Sequence, residues 1–268
     1  MPMRGTREVH RQRREVGLVL VEGVSVRRLT ASKLGLAIHC LHWLRDEAEW
    51  SDKTSWSAQI GKAFHARADE ITRGVTVTDK FKLTARQYEL VENMVSQWRL
   101  WRSGLAMAPD LFWVSEIGFA YDPETGRART LEMKHERDYS QAKPHEICGT
   151  ADFVVPADDK PAWVGDYKTG RGWVPDARDN MQLRGLALML AREEGVSTVR
   201  ASVVRVSEIG CYAPEPAVFD AFELDVIEDE LRGIHEKRRL GVYDPNPGEH
   251  CRFCPHKSAC VANQKGFV

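Results

Sequence analysis

Two short segments carry the densest chemistry in the chain: Gly149-Thr150-Ala151-Asp152 and Gly165-Asp166-Tyr167-Lys168-Thr169-Gly170. Side chains two apart on a strand share a face, so Asp166 and Lys168 point the same way. A proline-bounded turn joins the segments, and an antiparallel register centred near Asp159 sets Asp152 across from Asp166 on that face. Hard carboxylate oxygens so placed suit Mg2+ or Mn2+, which acidify water and neutralise charge developing on a phosphoryl group. Lys168 would orient the water or stabilise the transition state. Taken alone, Asp-x-Lys also describes an ordinary charged hairpin, so the surrounding residues decide.

Upstream, Gly61-Lys62-Ala63-Phe64-His65 has a helical pattern. Positions 61 and 65 lie one turn apart on one face, where the glycine leaves space beside the imidazole. Glu116, on a strand before the acid segments, is a further candidate ligand or water-positioning acid, or else an outward polar residue. Gln182 follows on a helix, with Arg171, Arg178 and Arg184 around it suited to a DNA backbone or to orienting the site. Solvated charge explains the arginines equally well.

Cys251, Cys254 and Cys260 form C-x2-C-x5-C, so three thiolates can face one metal centre. Cys40 supplies the fourth ligand best, because a cluster there would tie both ends of the chain together. Zinc also takes four cysteines, or His250 or His256 in place of Cys40, and the spacing leaves iron-sulfur and zinc both open. Cys148 and Cys211 sit in strand-like apolar segments and read as small buried hydrophobes.

The elements that must position these groups follow from the periodicity. Thr30 or Ser32 caps a predicted helix running through Leu44 and containing Cys40. Further helices are expected over Trp56 to Arg73, stopped by Gly74, and Thr84 to Ser103. Strands are expected over Leu111 to Tyr121, Arg129 to Lys134, Ile147 to Val155 and Ala162 to Lys168. A helix over Arg178 to Glu194, a strand over Thr198 to Ser207 and a helix over Leu224 to Leu240 complete the pattern.

The expected fold class is mixed α/β, a central mixed sheet flanked by helices, with N-terminal helices and a cysteine-rich tail. The corresponding regions are an N-terminal arm and strand (1–30), a helical region with Cys40 and His65 (31–105), a core (106–223), and a C-terminal helix with the cysteines (224–268). Lysine plus arginine number 38 against 39 acids, so bulk charge does not call for a polyanion, although a local basic surface can bind one. Arg4, Arg7, Arg11, Arg13 and Arg14 form either such an arm or a solvated terminus. No apolar run approaches the roughly 18 residues of a bilayer span, and six cysteines are too few for a disulfide scaffold, which together read as a cytoplasmic protein.

In combination these motifs resemble the RecB-like nucleases of the PD-(D/E)XK superfamily, especially the CRISPR-associated exonucleases of the fourth Cas family and their phage relatives. The shared pattern is an early cysteine, G-x3-H, G-x-x-D, D-x-K-T-G, a glutamine-bearing helix and C-x2-C-x5-C, and all six stand here in order from about Ser32 to Cys260. The resemblance implies a restriction-endonuclease-like core and hydrolysis of DNA, on single-stranded ends. It implies that His65, Asp152, Asp166 and the Tyr167 carbonyl hold Mg2+ or Mn2+, that Lys168 is catalytic and that Gln182 supports the site. It also implies a 4Fe-4S cluster on Cys40, Cys251, Cys254 and Cys260, favouring iron-sulfur over zinc. One departure is Leu186, where the family commonly has a tyrosine. Rival roles are a CRISPR adaptation factor working beside an integrase, and a DNA-binding scaffold in which cutting is immaterial.

Overall fold

The computed structural model describes residues 18–21, 24–44, 55–75, 81–105, 112–132, 138–158, 160–170, 172–254, 256–258 and 260–264. The arginines of the N-terminal arm, and Arg171, lie outside the described residues. A short antiparallel hairpin, β1 (Leu18–Val21) and β2 (Val24–Arg27), leads to a 3-10 turn (Ala31–Lys33) and a one-turn helix, α1 (Leu34–Ala37). The single helix expected through Leu44 is broken there, and Cys40 stands in the break before a second 3-10 turn (His42–Leu44). The tail competes for this stretch: Asn246 donates to the His39 carbonyl at 2.8 Å, and the His42 ring bonds the Tyr243 carbonyl at 2.8 Å. Leu34, Leu41 and Leu44 stay buried, so the apolar pattern marks core contact rather than a continuous helix.

Two longer helices follow. α2 (Trp56–Thr72) begins at Ser55, whose hydroxyl accepts from the Ala58 N–H, and Gly74 takes a left-handed φ of 66° just past its end. α3 (Ala85–Leu105) starts at Thr84, where Thr84 and Gln87 cap one another, and it buries Val91, Met94, Val95 and Trp98.

The main sheet comprises β3 (Val114–Asp122), β4 (Arg127–Leu131), β5 (Ile147–Val155), β6 (Ala162–Lys168), β7 (Val199–Ser207), β8 (Gly210–Tyr212) and β9 (Ala217–Phe219). Its order is β4-β3-β5-β6-β7-β8, with β9 also on β7. The pairs from β4 to β6 are antiparallel, while β6 and β7 are parallel because α4 (Met181–Glu194) crosses between them. α5 (Ala221–Arg239), a 3-10 turn (Glu249–Phe253) and α6 (Val261–Gln264) finish the chain. The strand expected to reach Lys134 ends at Leu131, and α4 starts at Met181 rather than Arg178 because Asn180 caps it with its side chain.

Helices cover both faces of the sheet. Along β6, Ala162 and Val164 pack toward α4 and α5 with Leu183, Leu186, Leu224 and Leu231, while Trp163 and Tyr167 pack toward α2 and α3 with Phe64 and Trp98. The helical 31–105 stretch therefore shares its core with the strands that follow it. No described helix is long and apolar enough to cross a membrane.

The β5–β6 register is Phe153↔Gly165, Val154↔Val164 and Val155↔Trp163, centred on position 159 as the turn predicts. Phe153 lies over Gly165, where an added Cβ would meet its ring atoms at 1.9 and 2.0 Å. We expect Gly165→Ala to destabilise the protein by about 1–3 kcal/mol in urea unfolding. Phe153→Leu in the same chain should recover part of that loss, and strictly additive effects would refute the contact as its cause.

Candidate active site

Continuing that register places Asp152 opposite Asp166. On the other side, Glu116 falls between Ser115↔Phe153 and Ile117↔Ala151, and so opposite Asp152. Three acids from three strands thus share one rung. The ladder recorded between β5 and β6 stops at Phe153–Gly165, and beyond it the Asp152 carboxylate accepts the Tyr167 backbone N–H. At the far end of β5, Thr30 bridges Cys148. Between the bridge and the ladder lies a cavity of about 450 Å3, walled by Thr30 to Lys33, by Gly61, Lys62 and His65 of α2, and by Asp166 to Gly170.

Each acid is held by a specific partner. The His65 Nδ1 is 2.9 Å from Asp152 Oδ1 and 4.0 Å from Glu116 Oε1. Lys168 Nζ lies 2.6 Å from Asp166 Oδ2 and donates to Gln182 Oε1 at 3.2 Å, while Gln182 Nε2 donates to Asp166 Oδ1 at 2.5 Å. Gln182 is in the first turn of α4, so the Asn180 cap that fixes the helix start also fixes this amide. Gly61 does more than leave room beside His65: a Cβ there would meet Thr169 Oγ1 at 2.8 Å, so the glycine lets the loop after β6 close onto α2.

The electrostatics follow from burial and crowding. Asp152 and Asp166 are 8% and 4% exposed, too buried to remain charged without cations beside them. Burial works to raise the Asp152 pKa, but His65 and the Tyr167 N–H pull it below the ordinary carboxylate value. For Asp166, burial outweighs Lys168 and its pKa rises, with Asp152 adding to the effect. Burial works to lower the His65 pKa, but Asp152 first, then Glu116 and Asp166, raise it to about 9. Glu116 has a left-handed φ of 51°, a conformation that only a few per cent of non-glycine residues adopt.

His65, Glu116 and Asp152 each offer a ligand atom, all within 4.8 Å of one another, so the donor set fits a hard divalent cation. The Tyr167 ring instead joins Phe64, Trp98 and Phe153 in an aromatic bed behind the site.

Not every candidate converges here. Arg178 pairs with Glu223 and donates to the Val218 carbonyl, and Arg184 pairs with Glu230 at 2.7 Å, so both face the C-terminal helix instead of the cavity. The sequence reading missed Tyr139, whose hydroxyl bonds Thr150 Oγ1 at 2.8 Å on the cavity wall; no motif or periodicity marks it. Leu186, at the departure from the resembled pattern, is fully buried, and its Cδ2 would be 2.7 Å from a Cβ on Gly149.

The four candidate cluster cysteines, Cys40, Cys251, Cys254 and Cys260, line one separate cavity with His42, His250 and His256. Among the described residues, they do not form one of the groups of three whose ligand atoms lie within 4.8 Å of one another. Cys148 is fully buried, and burial pushes its thiol up to about 11 and that of Cys211 up to about 12, leaving both as protonated packing residues.

The folded imidazole of His65 binds its proton more tightly than an unfolded one, so its stabilisation is complete below pH 6.5 and is lost as pH rises through about 9. We therefore expect the Tm of chelator-stripped protein to fall across that window, and to fall less in His65→Gln. A flat wild-type profile would contradict the assignment.

Comparison with known proteins identifies a family. The profile of the PD-(D/E)XK nuclease superfamily matches residues 28–261, a span that holds every group described above from Thr30 to Cys260. No curated protein matches the chain. A solved structure titled "Crystal structure of SSO0001" is similar at 13% identity over 75% of this chain and 96% of that one, with a TM-score of 0.32.

Proposed function

The chain belongs to the PD-(D/E)XK nuclease superfamily, and from that premise we propose a divalent-metal-dependent DNA nuclease of RecB-like type that degrades single strands from their ends. The observation that carries the reading is the shared rung of Glu116, Asp152 and Asp166, with His65 and Lys168 paired to its acids at the foot of the cavity.

His65, Asp152 and Asp166 would hold the cation, with Glu116 beside them and the Tyr167 carbonyl as a backbone donor. When bound, Mg2+ or Mn2+ supplies Lewis-acid chemistry, acidifying water and neutralising charge on phosphoryl oxygens. Lys168 is the catalytic cation of the chain itself. Its ammonium donates to Gln182 and lies in ion-pair contact with Asp166, and as a group of three donors it can also reach a water or a phosphate oxygen. Gln182 holds Asp166 and Lys168 in register and acts as a positioning residue. Arg171 is a candidate phosphate contact just beyond the cavity-lining Gly170. Preference for free single-stranded ends rests on the resemblance to RecB-like exonucleases.

A 4Fe-4S cluster on Cys40, Cys251, Cys254 and Cys260 completes the reading, supported by their common cavity.

With Mn2+, an end-labelled single strand should be shortened while a circular single strand survives; an untouched linear strand, or a circle cut as fast, overturns the respective part. Lys168→Ala should slow cleavage at least about 100-fold with Mn2+ affinity retained, whereas Asp152→Ala should lose both. Protein purified anaerobically should be brown and carry about four irons, with Cys40→Ser losing them. Colourless, zinc-loaded protein would refute the cluster.

A further inference from the structure

A second group of metal-type ligands lies at the opposite end of β3, outside the proposed nuclease site. The turn after β3 places Asp122 and Glu124 together, closed by the Gly126 N–H on the Asp122 carbonyl at 2.9 Å and by Gly126 at a φ of 70°. Asp122 Oδ1 accepts the N–H groups of Glu124 and Thr125, which orients its carboxylate. His145, on the loop before β5, brings its Nε2 to 3.4 Å from Asp122 Oδ1. His235, on α5, brings its Nε2 to 3.4 Å from Glu124 Oε1. The two rings stand 6.2 Å apart.

Ordinary ion pairing accounts poorly for this geometry. Among the described residues, both Nε2 atoms are buried from solvent and each faces its carboxylate at 3.4 Å without full hydrogen-bond geometry, although a buried imidazole nitrogen normally finds a well-aligned partner. Two ligands of one tetrahedral ion, with bonds of ~2.1 Å, stand about 3.4 Å apart. That is the spacing of both histidine–carboxylate pairs. Ligand atoms of Asp122, Glu124 and His145 also lie within 4.8 Å of one another. Among the described residues, the competing ammonium is that of Lys143, 3.8 Å from Asp122 Oδ2 on a mostly exposed side chain that can swing away.

We propose that Asp122, Glu124, His145 and His235 form a second divalent-cation site of borderline, zinc-like preference, with two imidazoles and two carboxylates. Imidazole nitrogens favour such a cation over Mg2+, and two carboxylates balance its charge. The site would be structural. It joins the β3–β4 turn, the entry to β5 and α5, and so clamps the strands that carry Glu116 and Asp152. Asp122 lies six positions along β3 from Glu116, about 20 Å along the strand, so the two sites do not share ligands.

The test is zinc content by elemental analysis and zinc affinity by competition with a chromophoric chelator, on full-length protein carrying Asp152→Asn and Asp166→Asn to remove the other carboxylate site. His145→Ala with His235→Ala should lose one zinc per chain while iron content stays the same. Glu124→Ala changes a mostly exposed side chain and should weaken zinc binding at least tenfold. Zinc should also raise the Tm of the parent but not of the double-histidine variant. Equal zinc content and affinity with and without these side chains would overturn the proposal, as would a parent that binds no zinc outside its cysteines.

Discussion

Glu116, Asp152 and Asp166 occupy adjacent strands on one rung, and unit charges about 4 Å apart repel by roughly 4 kcal/mol at the effective dielectric near a protein surface. Much of the surrounding architecture offsets that repulsion. His65 reaches across from α2, Lys168 turns back from the end of its own strand, the Gln182 amide spans Asp166 and Lys168, and the Tyr167 N–H caps Asp152. Where such a rung takes up a cation, the proton on His65 and the cation serve the same electrostatic purpose and exclude one another.

Holding the cavity open demands rigidity on both sides of the sheet. Behind it, Phe64, Trp98 and Tyr167 meet edge to face and Phe153 lies tilted against Tyr167, a packing that fixes ring orientations as well as burying area. On the other face α4 lies against β6 and β7 through Leu183 and Leu186, so the helix start that carries Gln182 cannot drift from Asp166. Small residues at Gly61, Gly149 and Gly165 let these layers approach to contact, with Thr169, Leu186 and Phe153 filling the space a side chain would take.

Much of this was legible in the chain because it depends on local spacing. A turn centred on position 159 sets the β5–β6 register, strand alternation pairs Asp166 with Lys168, and a glycine one turn before His65 marks a crowded helix face. Long-range contacts were not legible. The helix through Cys40 is interrupted because Asn246, some 200 positions away, takes a carbonyl from it. Arg178 and Arg184 read as basic residues near the site until α5 supplies Glu223 and Glu230. β8 and β9, of three residues each, are too short for alternation to register. Tyr139 reaches the cavity from outside any helix or strand, so no periodicity marks it.

The backbone of Glu116 has a consequence for how this protein could change. A left-handed conformation costs a residue with a side chain about 1–3 kcal/mol, and glycine largely escapes that cost. Stability and the third acid of the rung are therefore set against each other at a single codon. A lineage selected only for robustness, or a laboratory screen for heat resistance, would drift toward glycine there and lose the third carboxylate of the cluster.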